Sequence, residues 1–294
     1  MIKKTLLFSN KCAITTANEQ LVITSKHKNK TIPIEDIGYL VIDHNEVYIS
    51  MPALNKLVAN NCACIICDNK HLPNGMLLNL NSHHIQQEMF KHQINASQPL
   101  KKQLWQQTII EKINNQGILL KKITGLNNKF EYLSSKVLSG DTSNMEAVAA
   151  KFYWKSFFNI TFKRERFGNY PNNFLNYGYA ILRAATARAL SGSGLLNTLG
   201  IHHKSKYNAF ALADDIMEPY RPVVDEIVHH IMQHYDEQEL TTEIKTEILS
   251  ILTRTVYFKD EKSPLMVALQ KTSSSLQQCY SGKRKKIKYP KLWN

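Results

Sequence analysis

Asp215 and Glu218 stand three residues apart in the segment Asp214-Asp215-Ile216-Met217-Glu218-Pro219-Tyr220-Arg221-Pro222, a spacing that places them on one face of a helical turn. Carboxylates held that close repel unless a cation sits between them. The guanidinium of Arg221 could supply that charge, and so could a divalent metal. Upstream, His202-His203 follows Leu199-Gly200-Ile201, and the glycine suggests a tight approach that aims one imidazole inward. The same pair also reads as a solvated loop. A further carboxylate, Glu146, lies beside alanines in Gly140-Asp141-Thr142-Ser143-Asn144-Met145-Glu146-Ala147-Val148-Ala149-Ala150, where Asp141 or Ser143 can cap a helix. Glu146 can equally be a first-turn glutamate that complements the helix dipole. Two carboxylates and one imidazole make a hard, mostly oxygen donor set with open positions. It suits Mg²⁺ or Mn²⁺, with the imidazole favouring Mn²⁺. A metal so placed could polarise a phosphodiester. No local motif ties Glu146 to the other two.

The elements that must bring these residues together change character near residue 80. Short runs rich in Thr, Ile, Val and Leu precede it: Thr5 to Phe8, Cys12 to Thr16, Gln20 to Thr24, Thr31 to Ile34, Tyr39 to Asp43 and Val47 to Ser50. Pro52 opens a short helix, Ala53 to Val58, from its tolerated first-turn position. Two more strands, Ala63 to Cys67 and Met76 to Leu80, flank an expected turn at Leu72-Pro73-Asn74-Gly75. Past Ser82 the apolar spacing becomes helical. Ile109, Ile110, Ile113 and Ile118 carry it, then Leu133, Val137 and Leu138. Helices are predicted over Ala147 to Phe158, Phe174 to Leu190, Tyr207 to His234, Thr242 to Phe258 and Leu265 to Tyr280. The fold class is therefore α+β: a small N-terminal β-strand domain at residues 1–82, a larger all-α domain at 83–282 and a basic tail at 283–294.

Lys and Arg number 37 against 24 acidic residues, a formal charge of +13 over 294 residues, which points to a polyanion, most simply nucleic acid. Lys283, Arg284, Lys285, Lys286, Lys288 and Lys291 concentrate in the tail, yet the body stays cationic without them. Near the chemistry-bearing segments, Lys163, Arg164 and Arg166 follow Phe157, Phe158 and Phe162. Arg183 and Arg188 lie on the alanine-rich helix, and Lys204 and Lys206 follow the histidines. Such residues, with Lys285 and Lys286, can position DNA through its phosphates without reading sequence. The tail could be a disordered arm, although Tyr289, Pro290, Leu292 and Trp293 suggest docking on DNA or a partner. Cys64 and Cys67 form a lone C-x-x-C inside a buried strand, where cysteine acts as a small hydrophobe. The opening apolar run is cut short by Ser9, Asn10 and Lys11, and no stretch is long enough to span a membrane. The expectation is a soluble, cytoplasmic protein.

These motifs together resemble a known family. Gly140-Asp141…Asn144-x-Glu146-Ala147 resembles the segment carrying the metal-binding glutamate of the CRISPR adaptation integrases, the family of the first-numbered Cas protein. Asn176-Tyr177-Gly178-Tyr179-Ala180-Ile181-Leu182-Arg183 looks like a helix opening of that family. Leu199-Gly200-Ile201-His202-His203 and the run from Phe210 through Asp225 are similar to its histidine and acidic motifs, in the same order. The resemblance covers the helical half, and the strand-rich start fits the family's β domain. It implies that Glu146, His203 and Glu218 are catalytic and bind Mg²⁺ or Mn²⁺, with Asp215 close by and His202 adjacent. Glu218, where many members carry Asp, looks like the branch that accompanies type II systems. The implied activity is DNA integration: a captured 3′-hydroxyl attacks the leader–repeat boundary of a CRISPR array by transesterification. Endonuclease activity accompanies it. No phosphate-binding loop of the G-x-x-x-x-G-K-[ST] type occurs, in keeping with a reaction that needs no nucleotide hydrolysis. The implied partners are double-stranded DNA, a second copy of the chain as a homodimer, and the small second-numbered Cas protein. A stand-alone nuclease would use the same metal, and a non-catalytic DNA-binding scaffold remains the alternative of a different class.

Overall fold

The computed structural model describes residues 3–26, 29–81, 83–125, 129–158, 161–165, 168–259 and 261–293. Strands β1 (Lys4–Phe8), β2 (Cys12–Ala17), β3 (Gln20–Thr24), β4 (Asn29–Pro33), β5 (Ile37–Ile42), β6 (Val47–Ile49), β7 (Ala63–Cys67) and β8 (Pro73–Leu77) form two four-stranded sheets. The first, in the order β4-β3-β2-β6, is built on an antiparallel hairpin whose two turn residues, Asn18 and Glu19, both have positive φ. That left-handed pair matches the twist of the strands it joins. The second sheet runs β1-β5-β7-β8, parallel except for β8 at its edge. Helix α1 (Met51–Ala59), capped by Ser50, packs between the strands with Ala53 and Leu57 inward.

Period-two alternation decides which way each side chain of the second sheet faces. Leu40 and Cys64 join Ile14, Leu21, Ile32 and Leu57 in a core between the two sheets. Tyr39, Val41, Ala63 and Ile65 point the other way and enter the main core among the helices. The apolar core thus runs across the expected boundary at 82, a residue that itself lies outside the described set. Of the C-x-x-C pair expected to be buried in a strand, Cys64 is a buried apolar filler and Cys67 is only partly buried.

The helices are α2 (Gln86–Ile94), α3 (Gln98–Thr124), α4 (Phe130–Ser135), α5 (Met145–Phe157), α6 (Asn172–Gly192), α7 (Ala211–Met217), α8 (Arg221–His234), α9 (Thr242–Leu249) and α10 (Leu265–Tyr280). Ser97 caps the start of α3, and Gly125 ends it with φ of 70°, the left-handed conformation glycine adopts without a Cβ clash. Helix α3 threads the core with Leu104, Trp105, Ile109 and Ile113 buried. Helices α6 and α8 approach closely at Gly178, where an added Cβ would overlap the side chain of Val224. No helix among the described residues is long and apolar enough to cross a membrane.

Four expectations need correction. The turn before β8 lies at Asp68 to His71, where the Asp68 carboxylate accepts the N–H groups of Lys70 and Leu72 at 2.8 and 3.0 Å. Strand β8 therefore begins at Pro73, which an edge strand tolerates because one side of its ladder is unpaired. The predicted helix from Thr242 to Phe258 ends at Leu249. A 3₁₀ turn at Ser250–Thr253 follows, and then a hairpin, β9 (Thr255–Phe258) and β10 (Glu261–Pro264), because Val256 and Phe258 alternate inward with Thr255 and Tyr257 less buried. The helix expected from Tyr207 starts at Ala211 and breaks into a 3₁₀ turn at Glu218–Tyr220, where Pro219 interrupts the α-helical ladder. Finally, the tail docks on the body of the chain itself. Leu292 and Trp293 are buried, and Lys291 bridges Tyr257 of β9 through two backbone hydrogen bonds.

Candidate active site

Glu146 is placed by the start of α5. Of the two candidate caps, Asp141 serves: its carboxylate accepts the backbone N–H groups of Met145 at 2.9 Å and Glu146 at 3.1 Å. Ser143 instead donates to the carbonyl of Lys136. The Glu146 side chain then reaches the ammonium of Lys112 on α3, with Oε1 2.5 Å from Nζ.

Glu218 comes to the same ammonium from the 3₁₀ turn. Its Oε2 lies 2.6 Å from Lys112 Nζ, and its Oε1 lies 2.8 Å from the guanidinium of Arg221. The turn is held against α3 by Asn115, whose Nδ2 donates to the Pro219 carbonyl at 2.8 Å. Burial alone would raise the Glu218 carboxyl, but the adjacent Arg221 and Lys112 cations bring it down to about 2. Burial likewise opposes the charge of Lys112, yet Glu218 and Glu146 outweigh it and hold the ammonium above its ordinary value.

Asp215 does not share a cation with Glu218, although the spacing suggested that it would. It is fully buried and turns toward the loop before α7. There Oδ2 accepts the N–H groups of Ile201 at 2.6 Å and His202 at 2.9 Å. Oδ1 accepts the N–H of His203 at 3.3 Å and meets His203 Nδ1 at 2.5 Å. That hydrogen bond raises the imidazole above its ordinary value, against the opposing effect of burial. Gly200 is required here, because a Cβ would stand 2.8 Å from Asp215 Oδ2 and 2.6 Å from the His203 carbonyl. Trp105 of α3 stacks on the His202 ring at 4.3 Å between centroids and meets His203 edge-on at 6.0 Å.

The structure therefore joins Glu146 to Glu218 through Lys112, and joins His203 to Asp215. Among the described residues, no three His, Cys, Asp or Glu side chains form a group arranged to hold a metal ion. The donor chemistry nevertheless suits a hard cation. Two glutamates converge on one positive centre, and buried Glu218 Oε2 lacks a hydrogen-bond partner, its contact with Lys112 being one of charge without hydrogen-bond direction. With Nδ1 of His203 taken by Asp215, Nε2 is the nitrogen left to ligate.

The candidate phosphate-binding residues fall into two groups. Lys163, Lys204, Lys285 and Lys286 are exposed. Lys204 lines a groove of about 460 Å³ with Lys101, His203, Lys206 and Tyr207. Arg183 and Arg164 are committed within the protein: Arg183 grips Asp214 at 2.6 and 3.1 Å, and Arg164 donates to Asn172 at 2.9 Å and Asn176 at 2.7 Å. Arg166 lies outside the described residues. Arg188 donates to the Asn61 carbonyl at 2.6 Å and so ties α6 to the β layer.

Sequence reasoning missed the contribution of α3. Lys112 sits at an inward position of α3 among the buried residues Ile109, Ile113 and Gln116. A charge there is a signal in itself, because a buried lysine requires a partner. Trp105 and Asn115, on the turns either side, carried no comparable mark.

Comparison with known proteins bears on this arrangement. The family model for CRISPR associated protein Cas1 matches residues 5–256. The CRISPR-associated endonuclease Cas1 of Neisseria meningitidis serogroup C (strain 8013) is 36% identical over 297 aligned residues, covering 99% of this chain and 97% of its own. Among solved structures, a casposase bound to integration product is similar with a TM-score of 0.81 at 18% identity, over 97% of this chain and 92% of that one. A chain of a Cas6-RT-Cas1–Cas2 complex gives 0.76 at 21% identity, over 99% of this chain and 36% of that one. At such identities the structural likeness is one of fold. With a family model matched over most of its length and a full-length relative at that identity, the chain belongs to the CRISPR-associated Cas1 family.

Proposed function

We propose that this chain is a metal-dependent DNA integrase that inserts captured DNA into a CRISPR array, and that it also cleaves DNA as an endonuclease. The observation that carries this reading is the convergence of Glu146 and Glu218 on one cationic point, at 2.5 and 2.6 Å, together with the orientation of His203 by Asp215. Glu146, Glu218 and His203 would hold Mg²⁺ or Mn²⁺, which when bound stabilises charge on a scissile phosphate and its leaving oxygen. Asp215 fixes the His203 ring and its loop, and Arg221 neutralises the second oxygen of Glu218. Lys204 and Lys206, exposed along the adjoining groove, bind DNA phosphates and set the strand against the site. The 3′-hydroxyl of the incoming strand attacks the phosphodiester at the leader–repeat boundary, and the leader's own 3′-oxygen leaves. One phosphodiester replaces another, so no nucleotide is consumed.

The chain is inferred to act in the cytoplasm as a homodimer, with double-stranded DNA and the second-numbered Cas protein as partners. The similarity to a casposase bound to integration product and to a chain of a Cas6-RT-Cas1–Cas2 complex supports the DNA and the second-numbered Cas protein as partners. The test is joining of a labelled duplex with free 3′-hydroxyls to a supercoiled plasmid bearing an array. Glu146→Gln, His203→Ala and Glu218→Gln are each expected to abolish joining, as is excess chelator, with Mn²⁺ or Mg²⁺ restoring it and zinc failing to. Undiminished joining by these variants would show that this site does not carry the reaction, and absence of joining by the wild-type chain itself would leave the scaffold reading in place.

A further inference from the structure

Lys112 is the charged residue on the buried face of α3, and only a tenth of its side chain is exposed. Its ammonium touches one oxygen of each glutamate, whereas Arg221 touches the other oxygen of Glu218. Two carboxylates against one ammonium and one guanidinium make a neutral cluster. Adding a divalent ion at the point where Glu146 and Glu218 converge would leave a surplus of positive charge in a largely buried space. It would also set the ion against an ammonium within contact distance of the same oxygens, where repulsion is strong at any interior dielectric.

The side chains differ in how readily they can yield. Arg221 lies on the far oxygen and can remain. Lys112 meets Glu218 Oε2 by charge without hydrogen-bond geometry, on a flexible four-carbon stem. Its helix, by contrast, is fixed on either side: Thr108 bonds Tyr289 at 2.9 Å, and Asn115 bonds Pro219. Glu146, more than a quarter exposed, gives the cluster an open side through which the ammonium can leave and an ion can enter.

We propose that Lys112 is a positioning residue that holds the ion's place, keeping Glu146 and Glu218 converged in the metal-free protein and withdrawing when the ion binds. The inference rests on the reading of these two glutamates as metal ligands. It makes Lys112 a competitor of the ion, which an ordinary structural lysine would not be.

The experiment measures Mn²⁺ binding to the full chain at neutral pH by calorimetry, with thermal unfolding in chelator and in Mn²⁺ as a second readout. Lys112→Met is expected to unfold at a lower temperature in chelator, to bind Mn²⁺ about tenfold tighter or more, and to gain more stability from the ion than wild type. Lys112→Gln, also neutral, should behave alike if the methionine variant does not fold. Lys112→Arg keeps the charge and should bind no tighter than wild type. Equal or weaker Mn²⁺ binding by the neutral variants overturns the proposal. If wild-type binding is then still lost in a Glu146→Gln/Glu218→Gln double variant, only the role of Lys112 has failed. If wild type binds no Mn²⁺, or the double variant binds it as well as wild type, the metal reading fails and the proposal with it.

Discussion

Asp215 takes the Nδ1 edge of His203 at 2.5 Å while its two oxygens receive the backbone N–H groups of Ile201, His202 and His203. An ionised carboxylate can only accept, so in the neutral ring Nδ1 carries the proton and Nε2 the lone pair. Asp215 thus sets both the loop and the face of the imidazole that can ligate. Asp215→Asn should lower joining about 10- to 100-fold, the usual cost of losing such an orienting partner. At a pH high enough to keep the ring neutral, nitrogen NMR of His203 should show the Nδ1–H form in wild type and a mixture in the variant. Wild-type joining by Asp215→Asn would show that the ring needs no such anchor.

Asp225 offers a pH test away from that loop. It is buried, accepts from the Tyr153 hydroxyl at 2.8 Å and from the Tyr179 hydroxyl, and burial pushes its carboxyl from 3.8 to about 6 despite the tyrosines. A carboxyl raised on folding binds its proton more tightly in the folded state. Its contribution is greatest below the ordinary aspartate value and declines as pH rises toward about 6, by up to about 3 kcal/mol. Asp225→Asn lacks this dependence. The stability of wild type relative to the variant, from urea midpoints across that window, should therefore fall with rising pH. A constant or rising difference would mean that the tyrosines and nearby arginines hold the group ionised.

What the sequence made legible was local. Alternation marked the strands, and the Asp141–Glu146 spacing marked a capped helix whose first turn carries a carboxylate. The glycine before the histidines marked a crowded turn, which Asp215 fills. What it hid was long-range. Lys112 meets Glu146 across 34 residues, and no periodicity reports such a contact. The pairing of Asp215 with Glu218 failed because the 3₁₀ turn at Pro219 rotates one carboxylate toward α3 and leaves the other facing the histidine loop. The apolar run after Leu249 read as helix because Ile248, Ile251 and Leu252 keep helical spacing up to the point where Thr255 begins β9.

The β layer and the helices are joined by a second buried ion pair, and it too is testable. Lys245 of α9 and Asp43, just beyond β5, are 3% and 4% exposed, with Nζ 2.6 Å from Oδ2, and His71 meets the other oxygen at 3.0 Å. Lys245→Met should destabilise the protein by about 3–5 kcal/mol, because it strands a buried carboxylate. An Asp43→Leu/Lys245→Met double variant should recover much of that loss. Unfolding by denaturant measures both. Equal destabilisation by the single and double changes would place the loss in packing rather than in stranded charge.

The C-terminal segment separates charge from packing. Lys283, Arg284, Lys285 and Lys286 are exposed on a loop pinned to α3, where Gln107 donates to the Lys285 carbonyl at 3.1 Å and accepts from the Ile287 N–H at 2.9 Å. Beyond it Ile287, Leu292 and Trp293 are buried, and Trp293 Nε1 donates to Glu226 at 3.0 Å. Deleting the whole tail would confound two effects, so the substitutions should be divided. Changing the four exposed cations to Gln should cost no more than about 0.5 kcal/mol of stability per substitution, as expected of surface positions. If they bind phosphates, DNA affinity should fall alike for all sequences, and its logarithmic salt slope should shrink by about 0.9 for each phosphate no longer neutralised. Trp293→Ala should do the reverse, costing about 3–5 kcal/mol of stability through the cavity it opens while leaving the salt slope of the folded protein unchanged. A quadruple variant that binds DNA as tightly as wild type, with the same slope, would remove this loop from the DNA-binding surface and leave the tail a purely structural strap.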